Sequence, residues 1–320
     1  MKSLLKKVNV LINVCVKRNK MKIAFGMIIF EGDYVLKECL EQVYPFASQI
    51  LISEGPVEYW QQKGRSTSTD NTNKILHDFP DPENKIKIVH GQFKEKDEQC
   101  RAYMQHINDD IDYIWNLDSD EVYKTEDLTK IINFLKEAKP TSVGIRSCSF
   151  YGGFDNYLTG FELKKDNFLR IFRFVKGSNW LTHRPPTILY PREANIRISH
   201  VDSETLFNLL GVQMYHYSYV FPDQVNRKIS YYKEVVSKEN CIDNYFDNVY
   251  LPWVNGDDNI KRNIEEMFSG VHEFKPNVRG ECFTNKFMGQ HPESIIKNIS
   301  NLKDIFDNQL KKYNDKIILP

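Results

Sequence analysis

Tyr113-Ile114-Trp115-Asn116-Leu117-Asp118-Ser119-Asp120-Glu121 is the stretch on which the fold turns. Tyr113, Ile114, Trp115 and Leu117 make a short apolar run of strand length, and a cluster of acids follows at its carboxyl end. An Asp-x-Asp step where a strand bends into a loop can aim both carboxylates at one divalent cation. Hard cations such as Mg²⁺ and Mn²⁺ take oxygen ligands, and they bind through few carboxylates together with substrate phosphates. A cation held by Asp118 and Asp120 can neutralise a nucleotide diphosphate as it leaves. Glu121 is a third acid, for the surroundings of the ion or for the acceptor side. The plain alternative is a solvated acidic turn ahead of a helix, since Glu126 and Asp127 lie just beyond.

Working outward, the same type of run recurs. Lys22–Phe30 (KIAFGMIIF) is continuously apolar, as a strand covered on both faces is. Apolar residues at helical spacing over Tyr34–Tyr44 predict a helix that Pro45 ends. Gln49–Ser53 reads as a strand and Glu54–Ser68 as a loop. Thr69–Asp78 reads as a helix with Thr69 or Asp70 as its N-cap, Lys85–His90 as an alternating strand, and Lys96–Ile107 as a helix. After the acidic cluster come a helix over Leu128–Ala138 and one strand over Ser142–Phe150. Phe168–Phe174 and Val212–Val220 alternate as half-buried strands do, and Asp223–Ser237 and Pro292–Lys312 are helical in pattern. Strands alternating with helices predict an α/β fold with a mostly parallel, Rossmann-like central sheet and helices on both faces. A mainly helical C-terminal annex follows it. Sites in such sheets lie beyond the carboxyl ends of the strands, where the acidic cluster falls.

Composition limits the function classes. The 320 residues suffice for one large α/β domain with an annex, and 41% hydrophobic with 27% charged residues is ordinary for a globular chain. Lys plus Arg and Asp plus Glu balance at 43 each, which argues against a protein built to coat nucleic acid. The six cysteines form no C-x-x-C pair, so neither a structural zinc site nor a disulfide framework is expected, and a reducing, cytoplasmic setting follows. Residues 1–20 carry a short apolar run broken by Asn9 and Asn13, too short to span a bilayer. They read as an extra strand, an N-terminal extension, or leader ahead of a start at Met21. No later segment has the length of a transmembrane helix, so the body is expected to be soluble, with no transmembrane segment.

From Lys22 to Tyr123 the sequence resembles the GT-A fold nucleotide-sugar transferases, in particular the glycosyltransferase family 2-like group. MIIFEGDYVLKECLEQV is similar to that family's opening strand, acidic loop and helix, with Glu31 in the loop. ILISEGP resembles its second strand, with Glu54 where Asp is commoner at the base or ribose. Ser68-Thr69-Asp70-Asn71-Thr72 is similar to its Ser-Thr-Asp-Gly-Thr helix start, with Asn71 in place of Gly. Lys96-Asp97-Glu98-Gln99-Cys100-Arg101 resembles the polar helix start ahead of the metal strand, and WNLDSDE resembles the strand and Asp-x-Asp themselves. The resemblance extends to Met214–Val220 and to Gly289-Gln290-His291-Pro292-Glu293. It implies a GT-A domain over 21–220 with a helical region, 221–320, packed on it. It also implies transfer of a sugar from a UDP- or GDP-sugar to a glycan or other hydroxyl acceptor, with inversion, and a Mn²⁺ or Mg²⁺ cofactor. Glu31, Glu54, Asp70, Arg101 and Asp118 then fall on the donor side. Asp120 becomes the main direct metal ligand, and Asp118 lies nearer the ribose or reaches the ion through water.

Further candidates carry two readings each. His216 is either a third metal ligand or a satisfied core histidine. In His183-Arg184-Pro185-Pro186 the prolines hold a loop in which Arg184 can meet a diphosphate and His183 a metal or acceptor; the alternative is a rigid surface loop. An inverting transfer needs a general base, for which Glu162 is the nominal choice among the acids after the central strands. Tyr151, Phe154, Tyr157 and Trp180 are either an acceptor-stacking set or core. Two other functions stay open: a sugar nucleotidyltransferase, and a non-catalytic glycan- or nucleotide-binding module on the same fold.

Overall fold

The computed structural model describes residues 21–160, 168–236 and 238–318. In chain order the first half runs β1 (Ile23–Ile29), α1 (Leu36–Val43), β2 (Gln49–Glu54), α2 (Glu58–Gln61), α3 (Thr72–Asp78), β3 (Ile86–His90), α4 (Lys96–Met104), β4 (Tyr113–Asn116), β5 (Glu121–Val122) and α5 (Thr125–Ala138). Next come β6 (Ser142–Ile145), β7 (Ser147–Tyr151), β8 (Asn156–Gly160), β9 (Phe168–Arg173), β10 (Asn179–His183), β11 (Pro186–Leu189), β12 (His200–Val201), α6 (Ser203–Leu210) and β13 (Met214–Tyr219). The C-terminal part holds α7 (Pro222–Tyr231), α8 (Leu251–Asn255), α9 (Asp258–Phe268), α10 (Pro276–Arg279), β14 (Cys282–Lys286) and α11 (Glu293–Ile318).

The central sheet has seven strands in the order β12-β6-β9-β4-β1-β2-β3. β1 pairs in parallel with β2 and β4, and β2 in parallel with β3. β9 enters antiparallel between β4 and β6, so the sheet is mostly parallel, as expected. The strict two-residue period of the strands sends Phe25, Met27 and Trp115 into one core layer with Leu36 and Leu40 of α1 and Leu128 and Ile131 of α5. Ala24, Leu51 and Ile114 face the other layer, with Cys100, Tyr103 and Met104 of α4. A strand covered on both faces has no use for polar residues, which is why β1 is apolar throughout.

The span Ser142–Phe150, expected as one strand, is two strands in two sheets. The chain breaks at Arg146, whose guanidinium lies 4.3 Å from the Phe207 ring centre. β6 stays in the central sheet, and β7 joins a second sheet of order β14-β8-β7-β13-β5. A continuous apolar run does not reveal a change of sheet. In the second sheet β13 pairs antiparallel with β5, setting His216 opposite Glu121, and parallel with β7, setting His216 opposite Ser149. That pairing brings a residue from the end of the parallel half to the acidic turn.

Other boundaries shift. The helix expected from Thr69 begins at Thr72; Asn71 precedes it, and Asp70 Oδ1 accepts the Thr72 N–H at 2.9 Å from outside the helix. A short helix, α2, lies in the expected loop 54–68. Helix α7 gives way at Tyr232–Val236 to a π-turn. The C-terminal annex is mainly helical, with β14 as a strand the sequence did not announce, paired antiparallel with β8. Its last helix is tied to the central domain: Glu293 Oε2 accepts from Gln42 Nε2 and from Thr125 N, each at 3.1 Å. Cys39, Cys100, Cys148 and Cys241 are free and buried, and Cys282 is buried. Among the described residues no helix is long and apolar enough to cross a membrane.

Candidate functional site

A cavity of about 270 Å³ opens where β1, β2 and β4 end, lined by Asp118, Ser119 and Asp120 of the acidic turn. Gly32, in the loop after β1, lets the turn come close: a Cβ there would meet Ser119 Oγ at 2.7 Å. Its neighbour Glu31 holds a left-handed backbone, φ 54°, rare for a residue with a side chain. Ser68 Oγ accepts the Glu31 N–H at 2.9 Å. The Glu31 carboxylate accepts from Thr69 N at 2.8 Å and Arg227 Nη1 at 2.6 Å, and it also pairs with Arg65. Glu31 thus fastens α7 and the Arg65–Thr69 loop over the end of β1.

The three acids of the turn have separate partners. Arg170, buried on β9, donates through Nη2 to Asp118 Oδ2 at 3.0 Å and also to Glu121 Oε1. Burial opposes ionisation of Asp118, but the charges of Arg170, Arg184 and Lys96 outweigh it and hold the carboxyl well below its ordinary range. Glu121 is fully buried, and burial, with Asp118 adding to it, pushes its pKa up to about 8 despite Arg170. Asp120 faces the other way. Its Oδ1 lies 3.5 Å from His216 Nε2, and its Oδ2 accepts from Gln224 Nε2 at 3.1 Å. Burial opposes the charged form of His216, but Asp120 beside it raises the imidazole's pKa overall.

Among the described residues no three His, Cys, Asp or Glu side chains stand together as a ligand set for a metal ion. Asp120 and His216 fit two positions of a divalent cation, and the buried Gln224 Oε1 beside them has no hydrogen-bond partner. Two protein ligands with the remaining positions left to phosphates and water is an ordinary donor set for Mg²⁺ or Mn²⁺. Asp118 lines the same cavity with its Oδ2 engaged by Arg170.

The lining is cationic as well as acidic. Lys96, Arg170, Arg184, Arg227 and Lys228 line the cavity against Glu31, Asp118 and Asp120, five cations to three carboxylates. Arg184 Nη1 donates to the Tyr232 hydroxyl at 3.0 Å, and Lys228 Nζ to Ser218 Oγ at 2.7 Å. Burial lowers the pKa of Lys96, and the Arg184 charge lowers it further. Burial opposes ionisation of the Tyr232 phenol, yet Arg184, Lys228 and Lys96 together lower its pKa, as an electropositive pocket does. Phe30, Trp60 and Tyr231 close one end with aromatic faces, Trp60 and Tyr231 stacked with centroids 6.3 Å apart.

Of the residues singled out from sequence, Glu31, Asp118, Asp120, His183, Arg184 and His216 line this cavity. His183 ends β10. Its N–H donates to Asp97 Oδ1 at 2.5 Å, its Nδ1 lies 3.6 Å from Cys100 Sγ, and burial pushes its pKa down to about 3, so the ring is neutral. The prolines after it turn the β10–β11 hairpin. Four candidates stand elsewhere. Glu54 accepts from Ser68 N at 3.3 Å and meets His90 Nδ1 at 3.0 Å, lining a separate shallow pocket. Asp70 holds Thr72 N and Asp33 N. Arg101 donates to the carbonyls of Trp180 and Leu181 at 3.0 and 2.7 Å, tying α4 to β10. Glu121 sits behind Arg170, away from the cavity. Glu162 lies outside the described residues. Tyr151, Phe154 and Trp180 are buried core, and Tyr157 packs beside Phe287.

Lys96, Arg170, Gln224, Arg227 and Lys228 were not singled out as site residues. Arg170 had a visible signal: it interrupts the face Phe168, Phe172, Phe174 of an alternating strand, where a charge has to be paired. The α7 residues had none, since only tertiary packing turns that helix toward the acidic turn.

The profile of glycosyl transferase family 2 matches residues 65–198, a span that contains the acidic turn, Arg170 and the β10–β11 hairpin. No curated protein matches the chain. Among solved structures, that of S. aureus TarS 1-349 is similar at 13% identity and a TM-score of 0.38, covering 79% of this chain and 72% of that one. TarS 1-349 in complex with UDP-GlcNAc is similar at 12% identity and a TM-score of 0.37, with the same coverage. Residues 65–198 are thus similar to glycosyl transferase family 2, and they contribute β3, β4, β6 and β9 to the mostly parallel central sheet.

Proposed function

We propose that the chain transfers a sugar from a nucleoside diphosphate sugar, with UDP or GDP as the nucleotide, to a hydroxyl acceptor with inversion. The excess of cations facing the Asp118–Asp120 turn carries this reading: the cavity suits a diphosphate held between a cationic wall and an acidic turn. Lys96, Arg184, Arg227 and Lys228 bind the phosphates and stabilise the negative charge that grows on the leaving diphosphate. Trp60 and Tyr231 offer flat apolar faces to the base or sugar. Mn²⁺ or Mg²⁺ would be held by Asp120 and His216; when bound, it screens the diphosphate's charge. Arg170 keeps Asp118 drawn toward Glu121, so that Asp120 alone of the pair presents its carboxylate to His216.

The proposal takes 21–220 as the transferase domain and 221–320 as a region packed on it, supplying Gln224, Arg227 and Lys228 to the cavity. Cytoplasmic residence is part of it, supported by the buried thiols of Cys39, Cys100, Cys148 and Cys241. A thermal-shift series with UDP-glucose, UDP-N-acetylglucosamine and GDP-mannose, each with and without Mn²⁺, tests the donor reading. One nucleotide sugar at a hundred times its Kd adds about 2.7 kcal/mol to stability and raises Tm. No shift with any donor contradicts the proposal. Pyrophosphate release from a nucleoside triphosphate and a sugar phosphate would instead mark a nucleotidyltransferase.

A further inference from the structure

A second cavity, about 380 Å³, adjoins the first and shares Asp118, Arg170, His183, Arg184, His216 and Lys228 with it. Its far wall comes from the C-terminal region and contains a buried polar group that the donor reading does not use. Glu273 is 1% exposed and His272 is 5% exposed. The Tyr219 hydroxyl donates to Glu273 Oε2 at 2.5 Å and lies 3.2 Å from His272 Nε2. His272 Nδ1 lies 3.1 Å from the same carboxylate oxygen. Lys228 Nζ stands 3.7 Å from the Tyr219 ring centre. Burial opposes ionisation of Glu273, but His272, Lys228 and the Tyr219 hydrogen bond together lower its pKa, so it is a carboxylate at neutral pH.

Elimination points to the same residue. Among the described residues the carboxylates lining the two cavities are Glu31, Asp118, Asp120 and Glu273. Glu31 is engaged by Arg65, Arg227 and Thr69, Asp118 by Arg170, and Asp120 by His216 and Gln224. Glu273 is itself held by Tyr219 and His272, but it is the carboxylate that lines the second cavity without lining the first. A transfer needs its acceptor in a space continuous with the donor, with a base within hydrogen-bond reach of the attacking hydroxyl.

We propose that the second cavity receives the acceptor and that Glu273 takes the proton from its attacking hydroxyl, with Tyr219 and His272 holding the carboxylate in place. The acceptor oxygen bonds to the anomeric carbon as that carbon's bond to the β-phosphate oxygen breaks. The bonding pair leaves with the nucleoside diphosphate, and the hydroxyl proton passes to Glu273. The proposal rests on the donor reading above, and the two fail separately: donor binding is read on the wild type before any variant.

The test uses the full chain with UDP-glucose, UDP-N-acetylglucosamine and GDP-mannose plus Mn²⁺, and glycerol or water as acceptor probe. Donor Kd is read by calorimetry and turnover by nucleoside diphosphate release. Glu273→Gln should bind donor within about threefold of wild type while turnover falls about a hundredfold or more. Turnover of Glu273→Gln within threefold of wild type overturns the proposal, as does a hundredfold loss in Glu162→Gln with Glu273→Gln still active. Should Glu273→Gln fail to fold, Glu273→Asp keeps the charge and shortens its reach. It should bind donor normally and turn over about tenfold more slowly, and wild-type turnover there overturns the proposal.

Discussion

Gly55 follows Glu54 at the end of β2 with φ 144°, and a Cβ on it would lie 1.9 Å from the Gly91 carbonyl oxygen. The obstacle is backbone, so no side-chain rotation relieves it. Gly55 also lines the donor cavity. Gly55→Ala should cost about 2–5 kcal/mol, backbone strain and overpacking together, read as a fall in Tm or urea midpoint. Unchanged stability would show that the loops after β2 and β3 can part. At this scale the sequence was legible where a residue's role is local. Asp120 and His216, which the structure brings together, could be singled out because an Asp-x-Asp step and a histidine inside a strand are visible in one dimension. Glu54, Asp70 and Arg101 were assigned by resemblance, but each is engaged in holding neighbouring backbone or side chains. Residue type can be read from sequence, but the direction of each side chain is set by packing.

Helix α4 shows how an element places a site. Gln99 Nε2, buried, reaches the carbonyls of Ile29, Ser53 and Gly55 at 3.1–3.3 Å and so fastens the helix to the carboxyl ends of β1 and β2. Gln99→Ala should cost about 1–3 kcal/mol and weaken donor binding more than a distant change of equal cost, because Lys96 rides on the same helix. Calorimetry beside urea unfolding separates the two effects. The start of α11 has its own anchor: His291 Nδ1 meets the Tyr217 hydroxyl at 2.9 Å, and Nε2 meets the Phe154 carbonyl at 3.0 Å. Burial pushes its pKa from 6.5 down to about 4. A histidine depressed on folding binds fewer protons folded than unfolded between those values. Its contribution is therefore present above about 6.5 and lost as pH falls toward 4. Wild type should lose about 1–2 kcal/mol more than His291→Gln on going from pH 7 to pH 5, by urea unfolding at each pH. The elements themselves were largely legible, because continuous apolar runs marked β1, β2 and β4 and helical spacing marked α1 and α5. The break at Arg146 and the strand β14 were not, since pairing partners far away in sequence decide them.

At the scale of the whole molecule, two sheets meet at the acidic turn. The mostly parallel sheet delivers Asp118–Asp120, helix α4 delivers Lys96, and the second sheet delivers His216 through its pairing with β5. The annex delivers Gln224, Arg227 and Lys228 to one cavity and Glu273 to the next. No single segment holds the site, so the strand–helix order predicted the general place and not the cationic wall. On the proposed function this meeting point binds and turns over a nucleotide sugar with a divalent ion at Asp120. Nucleoside diphosphate release from the donor that stabilises the fold, with Mn²⁺ or with chelator, tests it in wild type and Asp120→Ala. Chelator should stop turnover and Mn²⁺ restore it, and Asp120→Ala should lose about a hundredfold or more. Full turnover by Asp120→Ala with Mn²⁺ present would contradict it.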